Sequence, residues 1–99
     1  MFVSGPCGAA AVGLRALLAG RGDEPALLPF VARWRSPRAR IDLADEVSAR
    51  CHAAIDVSDG LAQDAAHLAA ASRVAITLDP ARLPWCCGQR EAEIGRAHV

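Results

Sequence analysis

The chain contains no tyrosine, and its aromatics are limited to Phe2, Phe30, Trp34 and Trp85. Burial energy scales with apolar area, so a core without large rings must be assembled from small side chains. The 53% hydrophobic content is high, but much of it is alanine, which gives little burial per residue. Excess charge of either sign is also missing, since the formal net charge is zero. That removes the electrostatic footprint of a nucleic-acid or anionic-membrane binder. No Cys-x-x-Cys pair exists among Cys7, Cys51, Cys86 and Cys87, and no Cys-His cluster has zinc spacing. Reduced thiols of a cytosolic protein are the expectation. The apolar run from Gly8 to Gly20 is broken by Arg15 and too short to span a bilayer. No basic region precedes it, so a signal peptide is not expected. Internal repeats and low-complexity linkers are also lacking. The 99 residues suit one small, helix-rich piece with a thin core, which needs further chain or a partner to be stable.

What is present begins with Phe2-Val3-Ser4, read as the end of a strand, and a Gly5-Pro6-Cys7-Gly8 turn. Ala9 to Leu18 reads as a helix with Val12, Leu14, Leu17 and Leu18 as apolar positions and Gly20 as its stop. Gly22-Asp23-Glu24-Pro25 opens a second helix, with Pro25 in its first turn. That helix carries Leu27, Leu28, Phe30, Val31 and Trp34, and Ser36-Pro37-Arg38 interrupts it because proline pushes Ser36 out of the helical region. Arg33, Arg35, Arg38 and Arg40 gather here without fixed spacing, which favours a solvated basic loop over a phosphate grip. Ile41 to Arg50 reads as a helix with acids early and Arg50 late, complementing the helix dipole. Ala53 to Val57 and Val74 to Leu78 read as strands flanking a helix from Leu61 to Ala71, a β-α-β unit. In that helix Leu61, Ala65 and Leu68 share one face, with Gln63 and Asp64 facing away. Asp79-Pro80 and Leu83-Pro84 end regular structure.

The chemistry concentrates in Ala53-Ala-Ile-Asp-Val-Ser-Asp-Gly-Leu61, where an apolar run ends in two carboxylates, a hydroxyl and a glycine. Carboxylates this close repel unless a cation lies between them. Oxygen donors without His or Cys favour Mg²⁺ or Ca²⁺ over zinc. The free N–H groups and positive dipole end of the following helix suit phosphate. Asp56, Ser58 and Asp59 are therefore the candidate site, for Mg²⁺ with a phosphate ester, a nucleotide above all. A plainer reading stands beside it: Asp and Ser are also common helix caps and Asp-Gly a common turn. His67 is read as a surface residue or a partner of Asp64.

These residues resemble thiamine-monophosphate kinase from about Val3 to Pro84. The anchors are Val3-Ser-Gly-Pro-Cys-Gly-Ala-Ala-Ala-Val-Gly-Leu14, Ser36-Pro-Arg38, Ala54-Ile-Asp-Val-Ser-Asp-Gly-Leu61 with Asp64, His67 and Ser72, and then Leu78-Asp79 and Leu83-Pro84. The Asp-x-Ser-Asp-Gly-Leu string sets this family apart from other enzymes of its ATP-binding superfamily. The resemblance implies an α/β (α+β) fold of PurM type, and transfer of the ATP γ-phosphoryl to thiamine monophosphate to give thiamine diphosphate. By the same resemblance Asp56 and Asp59 match Mg²⁺-holding positions and Ser58 a position contacting ATP, with no protein nucleophile. It further implies a cytoplasmic parent that dimerises through an N-terminal domain carrying acidic Gly-Asp-Asp-type motifs. The stretch between Arg38 and Ala53 looks slightly longer than in the family, and Arg73 stands where it often has glycine after serine.

The resemblance divides the chain into a helical segment at 1–52 that follows the N-terminal domain, the start of a PurM-like C-terminal domain at 53–85, and a divergent tail at 86–99. Glu93-Ile-Gly-Arg-Ala-His-Val99 can be encoded by GAG ATC GGA AGA GCA CAC GTC, which resembles a common library adapter, so 93–99 is read as adapter-derived. The expectation is an internal fragment of a kinase, inactive alone because too few Mg²⁺ ligands remain. The competing readings are a non-catalytic interaction domain in which Asp59 caps a helix, and a divergent enzyme of the same superfamily acting on another substrate.

Overall fold

The computed structural model describes residues 1–86. The tail from 87 onward, including the adapter-like 93–99, lies outside them. The described chain is helix-rich. Its helices are α1 (Ala9–Leu18), α2 (Leu28–Arg35), α3 (Ala44–Arg50) and α4 (Leu61–Ser72), with 3₁₀ turns at Pro25–Leu27, Ile41–Leu43 and Pro80–Arg82. The described chain divides into two compact units, one of 1–39 with 84–86 and one of 40–83.

The first unit is built on α1 and α2. Glycine and alanine let these helices approach closely: a Cβ on Gly13 would lie 2.1 Å from the Phe30 carbonyl oxygen and 2.8 Å from the Val31 nitrogen. Gly13, Ala16 and Val31 are buried at this crossing. Leu18, expected on the apolar face, is instead exposed. The helix boundaries follow local chemistry. Pro25 opens the 3₁₀ turn that runs into α2, and Ser36, with φ −140°, ends that helix before Pro37. At the other end of α1, Gly20 adopts φ +71°, with hydrogen bonds from Gly20 N–H to Leu17 O (3.1 Å) and from Arg21 N–H to Ala16 O (2.8 Å). These are the two bonds of a Schellman motif, in which a left-handed residue closes the last helical turn. Cys7 forms an isolated parallel bridge with Trp85, accepting from Cys86 N–H and donating to Pro84 O.

In the second unit, α3 carries Asp45 and Glu46 in its first turn and Arg50 in its last. Glu46 and Arg50 pair at 2.9 Å across one helical turn. The α4 helix runs to Ser72 and ends in the same Schellman motif as α1, Arg73 N–H bonding Ala70 O (3.3 Å) and Val74 N–H bonding Ala69 O (3.0 Å).

The expected β-α-β unit is not present. Ala53–Val57 and Val74–Leu78 flank α4 as predicted, but neither is a strand, and among the described residues no sheet forms; Phe2–Ser4 is irregular as well. Alternating β-branched residues define a strand only when a neighbour takes up their backbone hydrogen bonds, and here none does. Ile55, Val57 and Val74 are consequently exposed. The chain after Val74 gives a short 3₁₀ turn, in which the Asp79 carboxylate accepts from Ala81 N–H at 3.0 Å.

Candidate functional site

The segment preceding α4 sets the site. Its pivot is Gly60, the residue before the helix, at φ +117° and ψ +143°, a conformation that side chains disfavour. No side chain caps α4. The reading of Asp59 as a helix cap is thereby overturned, because the N-cap position is held by Gly60, which has no side chain to offer. Asp56, Ser58 and Asp59 all lie exposed on this turn. Among the described residues the carboxylates of Asp56 and Asp59 have no hydrogen-bond or ion-pair partner.

The residue that organises the turn is Asp64, which the helical pattern places on the outer face. It is in fact the most buried polar side chain described, 3% exposed. Its Oδ2 accepts hydrogen bonds from Ser58 N–H at 2.9 Å and Asp59 N–H at 3.1 Å. Its own backbone N–H bonds Gly60 O at 2.9 Å. A carboxylate in the first turn of a helix thus satisfies two backbone donors that precede it, the logic of a capping box carried out by one side chain. Two of the N–H groups that could have faced an anion are already taken. Burial of Ala65 beside it, with Leu61 and Leu68 half-buried, agrees with the expected apolar face. The signal for Asp64 was available in its spacing from the Asp56–Asp59 turn, but helical periodicity alone points it to solvent.

Other chemistry is sparse. Among the described residues no group of three or more His, Cys, Asp or Glu side chains converges as a metal cage. Cys7, Cys51 and Cys86 form no disulfide. Cys7 is half-buried, and burial raises its thiol above the ordinary value, which opposes thiolate chemistry. The basic cluster is solvated as expected, though Arg33 and Arg35 lie in the last turn of α2 and not on a loop: Arg33, Arg35 and Arg38 are exposed, and Arg40 pairs with Asp42 at 2.9 Å. His67 is exposed. No described helix is long and apolar enough to cross a membrane.

No family model matches the chain, and no solved structure matches it. Curated relatives do. The thiamine-monophosphate kinase of Aquifex aeolicus (strain VF5) is 40% identical over 85 residues, 85% of this chain and 28% of the relative. That of Caulobacter vibrioides is 37% identical over 88 residues, 89% of this chain and 24% of the relative. That of Pyrococcus abyssi is 37% identical over 71 residues, 72% of this chain and 23% of the relative. Matches of this length in a 99-residue chain necessarily include the Asp56–Gly60 turn. Over most of its length the chain is therefore a relative of the thiamine-monophosphate kinases, and it spans about a quarter of the length of the curated relatives it matches.

Proposed function

We propose that this chain is the part of a thiamine-monophosphate kinase that contributes one acidic turn to an ATP-dependent phosphoryl-transfer site. The whole protein would move the γ-phosphoryl of ATP to thiamine monophosphate, giving thiamine diphosphate. Asp56 and Asp59 would hold Mg²⁺, and Ser58 would contact ATP. The observation that carries this reading is the exposed Asp56-x-Ser58-Asp59 turn, with both carboxylates unpaired among the described residues, inside the segment that matches the kinases.

The donor set fits the ion in kind. Mg²⁺ is typically held through one or two carboxylates, with water and substrate phosphates completing the shell, and two carboxylates and a hydroxyl are what this turn offers. It does not supply a complete cage, in keeping with the absence of a larger acidic cluster among the described residues. Bound there, Mg²⁺ supplies neutralisation of phosphate charge and alignment of donor with acceptor. The chain's own residues orient: Asp56 and Asp59 present negative charge to the cation, and the Ser58 hydroxyl is free to donate to a phosphate oxygen. None acts as a nucleophile, so catalysis rests on positioning and electrostatics.

In the same proposal the whole protein has a PurM-like α/β fold, is cytoplasmic, and forms a homodimer through its N-terminal domain. Residues 1–52 follow that domain, 53–85 begin the C-terminal one, and 86–99 diverge from it. The 99-residue chain alone is expected to lack kinase activity. The test is equilibrium binding of a fluorescent ATP analogue to the purified chain with and without Mg²⁺, alongside turnover of thiamine monophosphate. Mg²⁺-dependent binding lost in Asp59→Ala, without turnover, supports the reading. Mg²⁺-independent binding that Asp59→Ala leaves unchanged counts against it, and turnover by the isolated chain would refute the expected inactivity.

A further inference from the structure

We infer that Asp64 is the positioning residue of the acidic turn, acting on the Mg²⁺ site through the backbone of Ser58 and Asp59 and not as a ligand. This rests on the proposed Mg²⁺ role of Asp56 and Asp59.

Four observations converge on Asp64. It is buried to 3% exposure, while Asp56, Ser58 and Asp59 are all exposed. A single oxygen, Oδ2, binds the N–H groups of two consecutive residues, at 2.9 and 3.1 Å, which fixes the orientation of the peptide planes on either side of Ser58. The Asp64 N–H returns to Gly60 O, so the turn is tied to the first turn of α4 from both directions. Between these ties lies Gly60 at φ +117°, a conformation an untethered chain would leave readily. The Asp59 side chain projects from backbone held in this way, and α4 supplies the rigid support.

The consequence is a division of labour between acidic residues of one short segment. Asp56 and Asp59 carry exposed charge toward the ion, and Asp64 spends its carboxylate on protein N–H groups. Residues that orient metal-binding carboxylates typically change affinity by about 10–100-fold when removed. An asparagine at 64 keeps an oxygen able to accept both N–H bonds and removes the charge. It therefore separates a positioning role from a ligand role.

The experiment is a Mg²⁺ titration of the purified 99-residue chain, followed through the Ser58 and Asp59 amide resonances, with hydrogen exchange of those amides measured in parallel. Wild type, Asp64→Ala, Asp64→Asn and Asp59→Asn are compared. The expected result is that Asp64→Ala weakens Mg²⁺ binding about tenfold or more and speeds exchange of both amides. Asp64→Asn restores protection and brings affinity to within about threefold of wild type, whereas Asp59→Asn loses the Mg²⁺ response with the amides still protected. Equal loss in Asp64→Asn and Asp64→Ala with the amides protected in the former would overturn the inference in favour of a ligand role. Unchanged affinity in Asp64→Ala would overturn it outright. A wild-type chain whose amides are protected but do not respond to Mg²⁺ would instead sink the Mg²⁺ reading itself, so the two failures are told apart.

Discussion

The α1 and α4 helices are built from similar material and end in the same way, yet they are stabilised differently. Both are alanine-rich, and both close with a Schellman motif. In α1 the closing residue is Gly20, and the helix buries Gly13 and Ala16 against α2. In α4 the closing residue is Arg73, at φ +55°, the only non-glycine described with positive φ. That helix packs on no other helix to a comparable degree among the described residues, and its most buried side chain is a carboxylate. The lesson is that α1 is fixed by close packing and α4 by polar bonds at its beginning. The first arrangement gives a rigid helix pair, whereas the second gives a rigid turn.

The largest test of this contrast is Gly13→Ala. A methyl group 2.1 Å from the Phe30 carbonyl oxygen cannot be accommodated without moving α2. The expected loss is about 3 kcal/mol, because overpacking outweighs the roughly 1 kcal/mol gained in helix propensity. Urea unfolding followed by Trp34 fluorescence reads it, and a loss below about 1 kcal/mol would mean the helices separate easily. Next is Asp64→Ala, expected to destabilise the second unit by about 1–2 kcal/mol, since the two freed N–H groups are partly rehydrated at an exposed turn. Loss of helical signal on heating, compared with wild type, measures it; a neutral result would remove the polar half of the comparison.

The helix ends offer a reciprocal pair. Gly20→Ala meets no atoms within 4 Å, so its expected cost of about 1 kcal/mol is conformational alone. Arg73→Gly should do the opposite and stabilise by about 0.5–1 kcal/mol, with relief of the left-handed conformation partly offset by added freedom of the unfolded chain. Melting temperatures moving in the same direction for both variants would contradict this account.

The smallest effect concerns the ion pair just beyond α1. Arg21 binds Glu24 through two hydrogen bonds, at 2.7 and 2.8 Å, and the Arg21 guanidinium holds the Glu24 carboxyl below its ordinary value. A lowered folded-state value means that the contribution is present above the unfolded pKa and fades as pH falls through the folded one. Both side chains are exposed, so salt should screen the pair. An NMR titration of Glu24 should show its midpoint rise in Arg21→Gln and should show little further change in high salt.

Much of the helical content was legible. Gly20, Pro25 and Pro37 act locally, through fixed or left-handed backbone angles, and the α1 and α2 boundaries follow from them. Arg73 occupies a left-handed position suited to glycine. The placement of Asp56, Ser58 and Asp59 on the turn that leads into a helix was also readable from the order of apolar, acidic and glycine residues. The two strands were not, because alternation records a capacity to pair but not the presence of a partner. Leu18 and Asp64 were each assigned the wrong side. For Leu18, small residues on the neighbouring face bring α2 closer than a leucine could. For Asp64, two backbone donors compensate the burial of a charge that periodicity would leave in water.

The sequence by itself determined which segments become helical, which residues carry oxygen chemistry, and the kinship with the kinases. These depend on local backbone preference and residue identity, which do not need distant contacts. Only the tertiary structure decided that Gly13 meets the α2 backbone, that the β-like segments stay unpaired, and that Asp64 holds the turn from within. Each of these depends on which groups become neighbours, and burial and hydrogen bonding are properties of neighbours rather than of a residue's place in the chain.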